Sequence, residues 1–177
     1  MSLSINLLKV RNSIGTTASF ELSTPNLPLT EELNIIKPVS VSLTVSNNGQ
    51  ILELKGNVNT EVESNCHRCL TPTKAGIDAV IDEKLVYSTD LRHLGDISQD
   101  EIEEKYLVFT NDLFDLTDLV RETIIMALPY KILCNDDCQG LCIKCGQNLN
   151  IKSCNCITEE IDPRLAILAK LKGAEEV

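Results

Sequence analysis

Between Cys134 and Cys156 the chain reads CNDDCQGLCIKCGQNLNIKSCNC, which places six of its eight cysteines within 23 residues. The other two, Cys66 and Cys69, stand far upstream as an isolated C-H-R-C pair. A thiolate is nucleophilic and oxidisable, so cysteines gathered at short regular spacings need a chemical use, and metal ligation is the first candidate. The spacings run Cys134-x3-Cys138-x3-Cys142-x2-Cys145, then eight residues, then Cys154-x-Cys156. Zinc takes four soft ligands in a tetrahedron, and two short-spaced pairs joined by a loop supply one edge each. The compact set is Cys142, Cys145, Cys154 and Cys156, with Gly146 giving the backbone freedom that a knuckle needs. Cys134 and Cys138 would then join Cys66 and Cys69 in a second site. Another partition pairs Cys66 and Cys69 with Cys142 and Cys145, and spacing leaves both open. The expected cofactor is structural zinc, one or two ions. Ferredoxin-type iron-sulfur spacings do not match.

A chain of 177 residues is long enough to bury a core without disulfide staples. Aromatics make up only 3% of it and tryptophan is absent, so that core must be built from Leu, Ile and Val. The same shortage disfavours a base-stacking nucleic-acid surface. The net charge of -10 is concentrated: residues 78 to 122 hold 13 acidic and four basic side chains, while the segments on either side are near balance. Such a chain is not held on nucleic acid by bulk electrostatics, and the simplest reading of the acidic middle is a solvated loop. The start MSLSINLLKVRNSIG lacks the pattern of an export signal, and no run of 18 apolar residues occurs, so a cytoplasmic protein without membrane association is expected. In that compartment cysteines serve metals or redox chemistry rather than disulfides.

Ser4 to Val10 reads as a short apolar element, and Phe20 to Pro38, with Pro25, Pro28 and Pro38, as irregular edge structure. From Val39, branched residues alternate with hydroxyl residues, predicting a strand with one apolar face. Asn47-Asn48-Gly49 supplies a hairpin turn, and Leu52, Leu54, Gly56 and Val58 form the return strand. A third alternating run, Ile77 to Tyr87, follows Thr71-Pro72, so Cys66 and Cys69 sit at a turn. His67 reads as an exposed turn residue and Arg68 as a cation beside the thiolates. Thr89 to Lys105 reads as a loop and Tyr106 to Phe109 as a strand. Leu116, Leu119, Val120, Ile124, Ala127 and Leu128 form a helical stripe, with Asp115 as N-cap and Pro129 as the stop. Asp162-Pro163 begins a second, short helix that ends before Gly173. The predicted class is α+β: an antiparallel β-meander packed with one main helix over residues 1–130, and a cysteine-rich zinc-knuckle arm with a short terminal helix over 131–177.

No phosphate loop, nucleophile elbow or H-E-x-x-H is present, and His67 and His93 are the only histidines. Four-cysteine zinc is closed and structural, whereas catalytic zinc keeps an open position. A non-enzymatic protein is expected. A thiol redox or zinc-responsive regulator is the alternative.

CHRCL at 66–70, DLTDLVRETIIMALP at 115–129, CNDDCQGLCIKCGQNLN at 134–150, then CNC and IDPRLAILAKL at 161–171 together resemble the bacterial YceD-type large ribosomal RNA subunit accumulation proteins. The resemblance covers about residues 39–172 in the same motif order. It implies a cytoplasmic role in the synthesis, processing or stability of 23S ribosomal RNA, with precursor large-subunit particles as partner through 23S RNA or basic ribosomal proteins, and no small-molecule substrate. Joined to the residue reading, it makes Arg68, Lys144, Lys152, Asn148 and Asn150 the expected RNA or partner contacts around the zinc knuckles.

Overall fold

The computed structural model describes residues 3–25, 27–30, 33–95 and 98–156, apart from the side chain of Glu103. In chain order the elements are β1 (Ser4–Asn6), α1 (Leu8–Arg11), β2 (Thr17–Thr24), β3 (Asn34–Ile35), β4 (Val39–Asn47), β5 (Leu52–Asn65), β6 (Pro72–Tyr87), α2 (Gln99–Lys105), β7 (Leu107–Phe109), β8 (Leu113–Asp115) and α3 (Thr117–Ala127). A 3-10 turn at Asp90–His93 follows β6.

The period-two pattern of β4 buries Val39, Val41, Leu43 and Val45 on one face and turns its hydroxyl residues outward. β4, β5 and β6 form the expected antiparallel meander. The first hairpin is closed by Gly49 at a φ of +101° and by its N–H, which donates to Asn47 Oδ1 at 2.7 Å. At Gly56, facing Leu43, a Cβ would lie 2.0 Å from the Ser42 carbonyl oxygen, so the two strands approach closely enough to exclude any side chain. The sheet runs in the order β2-β4-β5-β6-β7, and β3 pairs with β5 at Val62 and Glu63, beyond the end of β4. β7 joins β6 in parallel over Leu85–Tyr87. β1 and β8 make a separate two-stranded ladder.

Three expectations require correction. Thr17–Thr24, which overlaps the stretch read as irregular, is a full strand paired with β4, because Ala18, Phe20 and Leu22 alternate with exposed Ser, Thr and Glu before the prolines begin. The loop assigned to Thr89–Lys105 contains α2, started by a capping box in which Ser98 and Glu101 satisfy each other's backbone N–H groups. The N-cap of the main helix shifts by one residue: it falls on Leu116, while the Asp115 carboxylate accepts from the Thr117 N–H at 2.8 Å.

α3 lies against β5 and β6, with Leu116, Val120 and Ile124 fully buried in the sheet's apolar face. Each such side chain contributes about 1.5–3 kcal/mol of hydrophobic stabilisation. Phe109 bridges Tyr87 and Phe114 edge-on, at centroid distances of 5.2 and 6.0 Å. The Arg11 guanidinium stacks 3.4 Å from the Tyr87 ring and pairs with Asp112 at 2.9 Å, tying the N-terminal segment to this end of the sheet. Among the described residues no helix is long and apolar enough to cross a membrane. The helix expected from Asp162 lies outside the described residues.

Candidate metal centre

β5 and β6 pair without interruption from Leu52 with Leu85 to Asn65 with Pro72, and the turn at the tip of this hairpin is Cys66–Thr71. The Cys66 N–H donates to the Thr71 carbonyl at 2.9 Å, and the Leu70 N–H donates to the Cys66 carbonyl at 2.9 Å. The same pattern recurs in the arm: the Cys142 N–H donates to Gln147 O at 2.8 Å, and Gly146 N–H to Cys142 O at 2.8 Å. Both turns are C-x2-C knuckles whose residue after the second cysteine takes a left-handed conformation, Gly146 at φ +70° and Leu70 at φ +59°. Leucine in this position is strained, since its Cβ crowds the following carbonyl oxygen.

These knuckles organise two quartets, Cys66, Cys69, Cys134 and Cys138 in one and Cys142, Cys145, Cys154 and Cys156 in the other. Within each, all four sulfurs lie within 4.8 Å of one another. The partition pairing Cys66 and Cys69 with Cys142 and Cys145 is therefore not the one formed. Sγ–Sγ distances of 3.8 Å for Cys66–Cys138 and 3.5 Å for Cys69–Cys134 suit a tetrahedron with metal–sulfur bonds of ~2.3 Å, whose edges are ~3.8 Å. All eight cysteines are free thiols. The donor set fits a thiophilic metal ion at each quartet.

The thiols' acidities fit the same use. Burial raises the Cys66 thiol, but donation from the Arg68 amide and further hydrogen bonds outweigh it and bring it down to about 6. Cys142 is lowered to about 6 by the amides of Cys145 and Lys144. The Thr71 hydroxyl and amide lower Cys69. Cys134, crowded by Cys69 and Cys138, and Cys156, crowded by Cys145, are pushed up to about 12. Each set thus holds at least one thiol ready to ionise, while hydrogen bonding to neighbouring sulfurs holds another protonated. A bound cation removes that conflict.

The arm reaches the hairpin tip through a few defined contacts. The His67 N–H donates to Ile132 O at 2.9 Å, and the Ile132 N–H returns to His67 Nδ1 at 3.2 Å. Arg68 Nη1 donates to the carbonyls of Cys138 at 2.9 Å and Asp136 at 3.3 Å, and Leu141 N–H donates to Arg68 O at 3.2 Å. Gly140 permits this approach: at its φ of +74° a Cβ would stand 3.2 Å from Arg68 O. Asn150, in the loop between the two cysteine pairs of the second quartet, reaches the first, with Nδ2 3.3 Å from Cys138 Sγ and Oδ1 accepting from Gln139 N–H at 2.8 Å. Asn148 accepts from Asn150 N–H at 3.0 Å and donates to Thr71 Oγ1 at 3.4 Å.

Of the five expected contact residues, Arg68, Asn148 and Asn150 thus make bonds within the scaffold of the thiol sites, while Lys144 is exposed on the second knuckle and Lys152 on the loop that leads from it to Cys154. The His67–Ile132 clamp, the sulfur partner Thr71 and the strained Leu70 were not singled out from the sequence. Aligning CHRCLT with CIKCGQ would have found Leu70 and Thr71, because the two motifs align without a gap and share their turn hydrogen bonds.

A β-sheet whose longest hairpin carries half of one four-thiol site, completed by an arm that carries another, defines a class: small α+β proteins with a cysteine clip between sheet and arm. The chain belongs to the family described as large ribosomal RNA subunit accumulation protein YceD, whose model matches residues 54–172 and so spans both quartets. It is 27% identical over 156 residues to the chloroplastic large ribosomal RNA subunit accumulation protein YCED homolog 1 of Arabidopsis thaliana, covering 76% of this chain and 49% of the relative. An uncharacterized protein of Mycobacterium tuberculosis is 27% identical over 139 residues, covering 77% of this chain and 63% of its own length. The uncharacterized protein YlbN of Bacillus subtilis is 24% identical over 144 residues, with 81% of this chain and 79% of the relative covered. The chain thus spans about half of the Arabidopsis relative and under two thirds of the mycobacterial one. No solved structure matches it.

Proposed function

We propose that the chain is a non-enzymatic ribosome-biogenesis factor of the cytoplasm, needed for synthesis, processing or stability of the 23S RNA of the large subunit. The observation that carries this reading is the family match across residues 54–172, which includes the hairpin tip, α3 and all eight cysteines. The relatives whose names state a role are large ribosomal RNA subunit accumulation proteins.

Each quartet holds one structural zinc. Four thiolates complete a tetrahedron and leave no open position for a water or substrate, so the metal supplies cohesion rather than chemistry. Partners are precursor large-subunit particles, met through 23S RNA or basic ribosomal proteins, with Lys144 on the second knuckle and Lys152 on the loop that leads from it as the RNA-facing cations.

Depleting the protein from the cells that encode it and measuring the ratio of 23S to 16S RNA tests the reading. A selective fall in 23S, restored by the parent gene and not by Lys144→Glu with Lys152→Glu, is expected. An unchanged ratio in cells lacking the protein overturns it and favours the thiol-redox alternative, for which exposed Cys134 and Cys145 offer one accessible sulfur per quartet.

A further inference from the structure

β6 is the longest strand of the sheet, and its two sides are used unequally. One side is paired with β5 from Pro72 to Leu85, whereas on the other side, among the described residues, β7 pairs only with Leu85, Val86 and Tyr87. From Gly76 to Glu83 the second side carries no strand among the described residues, so every other residue there presents an N–H and C=O that no described strand pairs. α3 runs alongside without sealing this edge. Between them lies a groove of about 500 Å³ lined by Asp78, Val80, Asp82 and Glu83 of β6 and by Thr123 and Met126 of α3. Val80 and Met126 are 72% and 87% exposed, unusual for large apolar side chains flanking one groove.

The groove's charge selects its occupant. Asp78 and Asp82 lie on the sheet's outer face, and Asp82 makes only a long, exposed pair with Lys55 at 3.7 Å. Glu83 is different: it occupies the core-facing register between buried Ile81 and Leu85, opposite Leu54, is half-buried, and has no ion pair among the described residues. A carboxylate in that position favours a cation brought in from outside. Among the described residues no basic side chain lines the groove; Lys74 and Lys84 stand beyond its ends in sequence. An RNA strand is repelled by the same three carboxylates.

We propose that the open edge of β6 between Gly76 and Glu83, with the groove against α3, receives an extended segment of a protein partner rich in lysine or arginine. The segment adds as a further strand, its main chain pairing with β6, its outward cations reaching Asp78 and Asp82 and a cation on its opposite face reaching Glu83. This deepens the ribosome-assembly reading, on which it rests only for the source of the segment.

The test uses the full, metal-loaded chain at physiological salt and a short capped peptide of alternating lysine and valine in which one valine is replaced by lysine, so that both faces carry a cation. A second peptide of the same sequence, N-methylated on alternate amides, keeps the charge and cannot pair as a strand. The parent chain is expected to bind the first peptide and to bind the methylated one at least about tenfold more weakly, with hydrogen exchange slowed at the amides of residues 76–83. Asp78→Lys with Glu83→Lys should abolish the difference while retaining both metal ions. Equal binding of the two peptides overturns the inference by reducing it to charge attraction, and needs no variant. Slowed exchange elsewhere, displacement of the peptide from these amides by an oligouridylate, or protection of the edge in a dimer of the chain alone also overturns it. Failure here beside a fall in 23S RNA on depletion removes this inference alone, whereas unchanged 23S RNA removes the assembly reading and leaves the peptide result standing.

Discussion

Leu70 and Gly146 occupy the same position of two knuckles, yet only one of them suits it. A left-handed φ costs an ordinary L-residue about 1–2 kcal/mol, and Leu70, 63% exposed, regains little of that by packing. Leu70→Asn should therefore raise stability by up to about 1 kcal/mol, since asparagine tolerates this conformation. Gly146→Leu should lower it by about 1–2 kcal/mol for the same reason. Denaturant unfolding of the metal-loaded proteins reads both. The cysteines were recognisable from spacing because ligand chemistry acts through sequence-local pairs. Which pairs combine was not, because Cys66 reaches Cys138 only after β5 and β6 have folded, a separation no spacing rule encodes. Asn148 and Asn150 were expected at a recognition surface, and their amides also bond the turn and a sulfur, a use that depends on where the chain crosses itself.

Elements with strong local signals appear where the period places them, and those with mixed signals do not. β4, β5, β6 and α3 each carry a sustained apolar period, and each forms. β2 escaped notice because its apolar residues, Ala18, Phe20 and Leu22, include a small one and lie next to a proline-rich stretch. α2 has no apolar stripe, and its capping box, Ser98 with Glu101, was the one available sign. At α3, Thr117's hydroxyl and amide hold the Asp115 carboxyl below the usual carboxylate range. A depressed folded-state pKa means that this contribution is present above the unfolded value, ~4, and is lost as pH falls through the folded value. Asp115→Ala should cost about 1 kcal/mol at neutral pH. The difference from the parent should shrink below about pH 4 in denaturant unfolding.

At the scale of the whole molecule, the two quartets have unequal structural roles. The first joins the β5–β6 tip to the arm across more than sixty residues of chain, and the second closes a loop within the arm. Cys66→Ser with Cys69→Ser should remove one metal ion and free the arm, so that the Leu141 amide, which donates to Arg68 O, exchanges at close to an unprotected rate. Cys154→Ser with Cys156→Ser should also remove one ion while leaving that amide and the β4–β5 amides protected. Amide exchange read by mass spectrometry separates the two outcomes. The charge distribution acquires a structural meaning at this scale too. Part of the acidic middle is not loop: Asp78, Asp82 and Glu83 belong to β6, a strand edge rather than a solvated linker.

The central proposal is that each quartet binds one zinc through four thiolates, the first clipping the arm to the sheet and the second closing the arm's own loop, and zinc K-edge absorption combined with metal analysis of the purified chain tests it most directly. The account predicts two zinc ions per chain, each surrounded by four sulfurs at ~2.3 Å with no nitrogen or oxygen ligand. Fewer than two ions in a folded, fully reduced chain, or a mixed sulfur and oxygen shell, would contradict it.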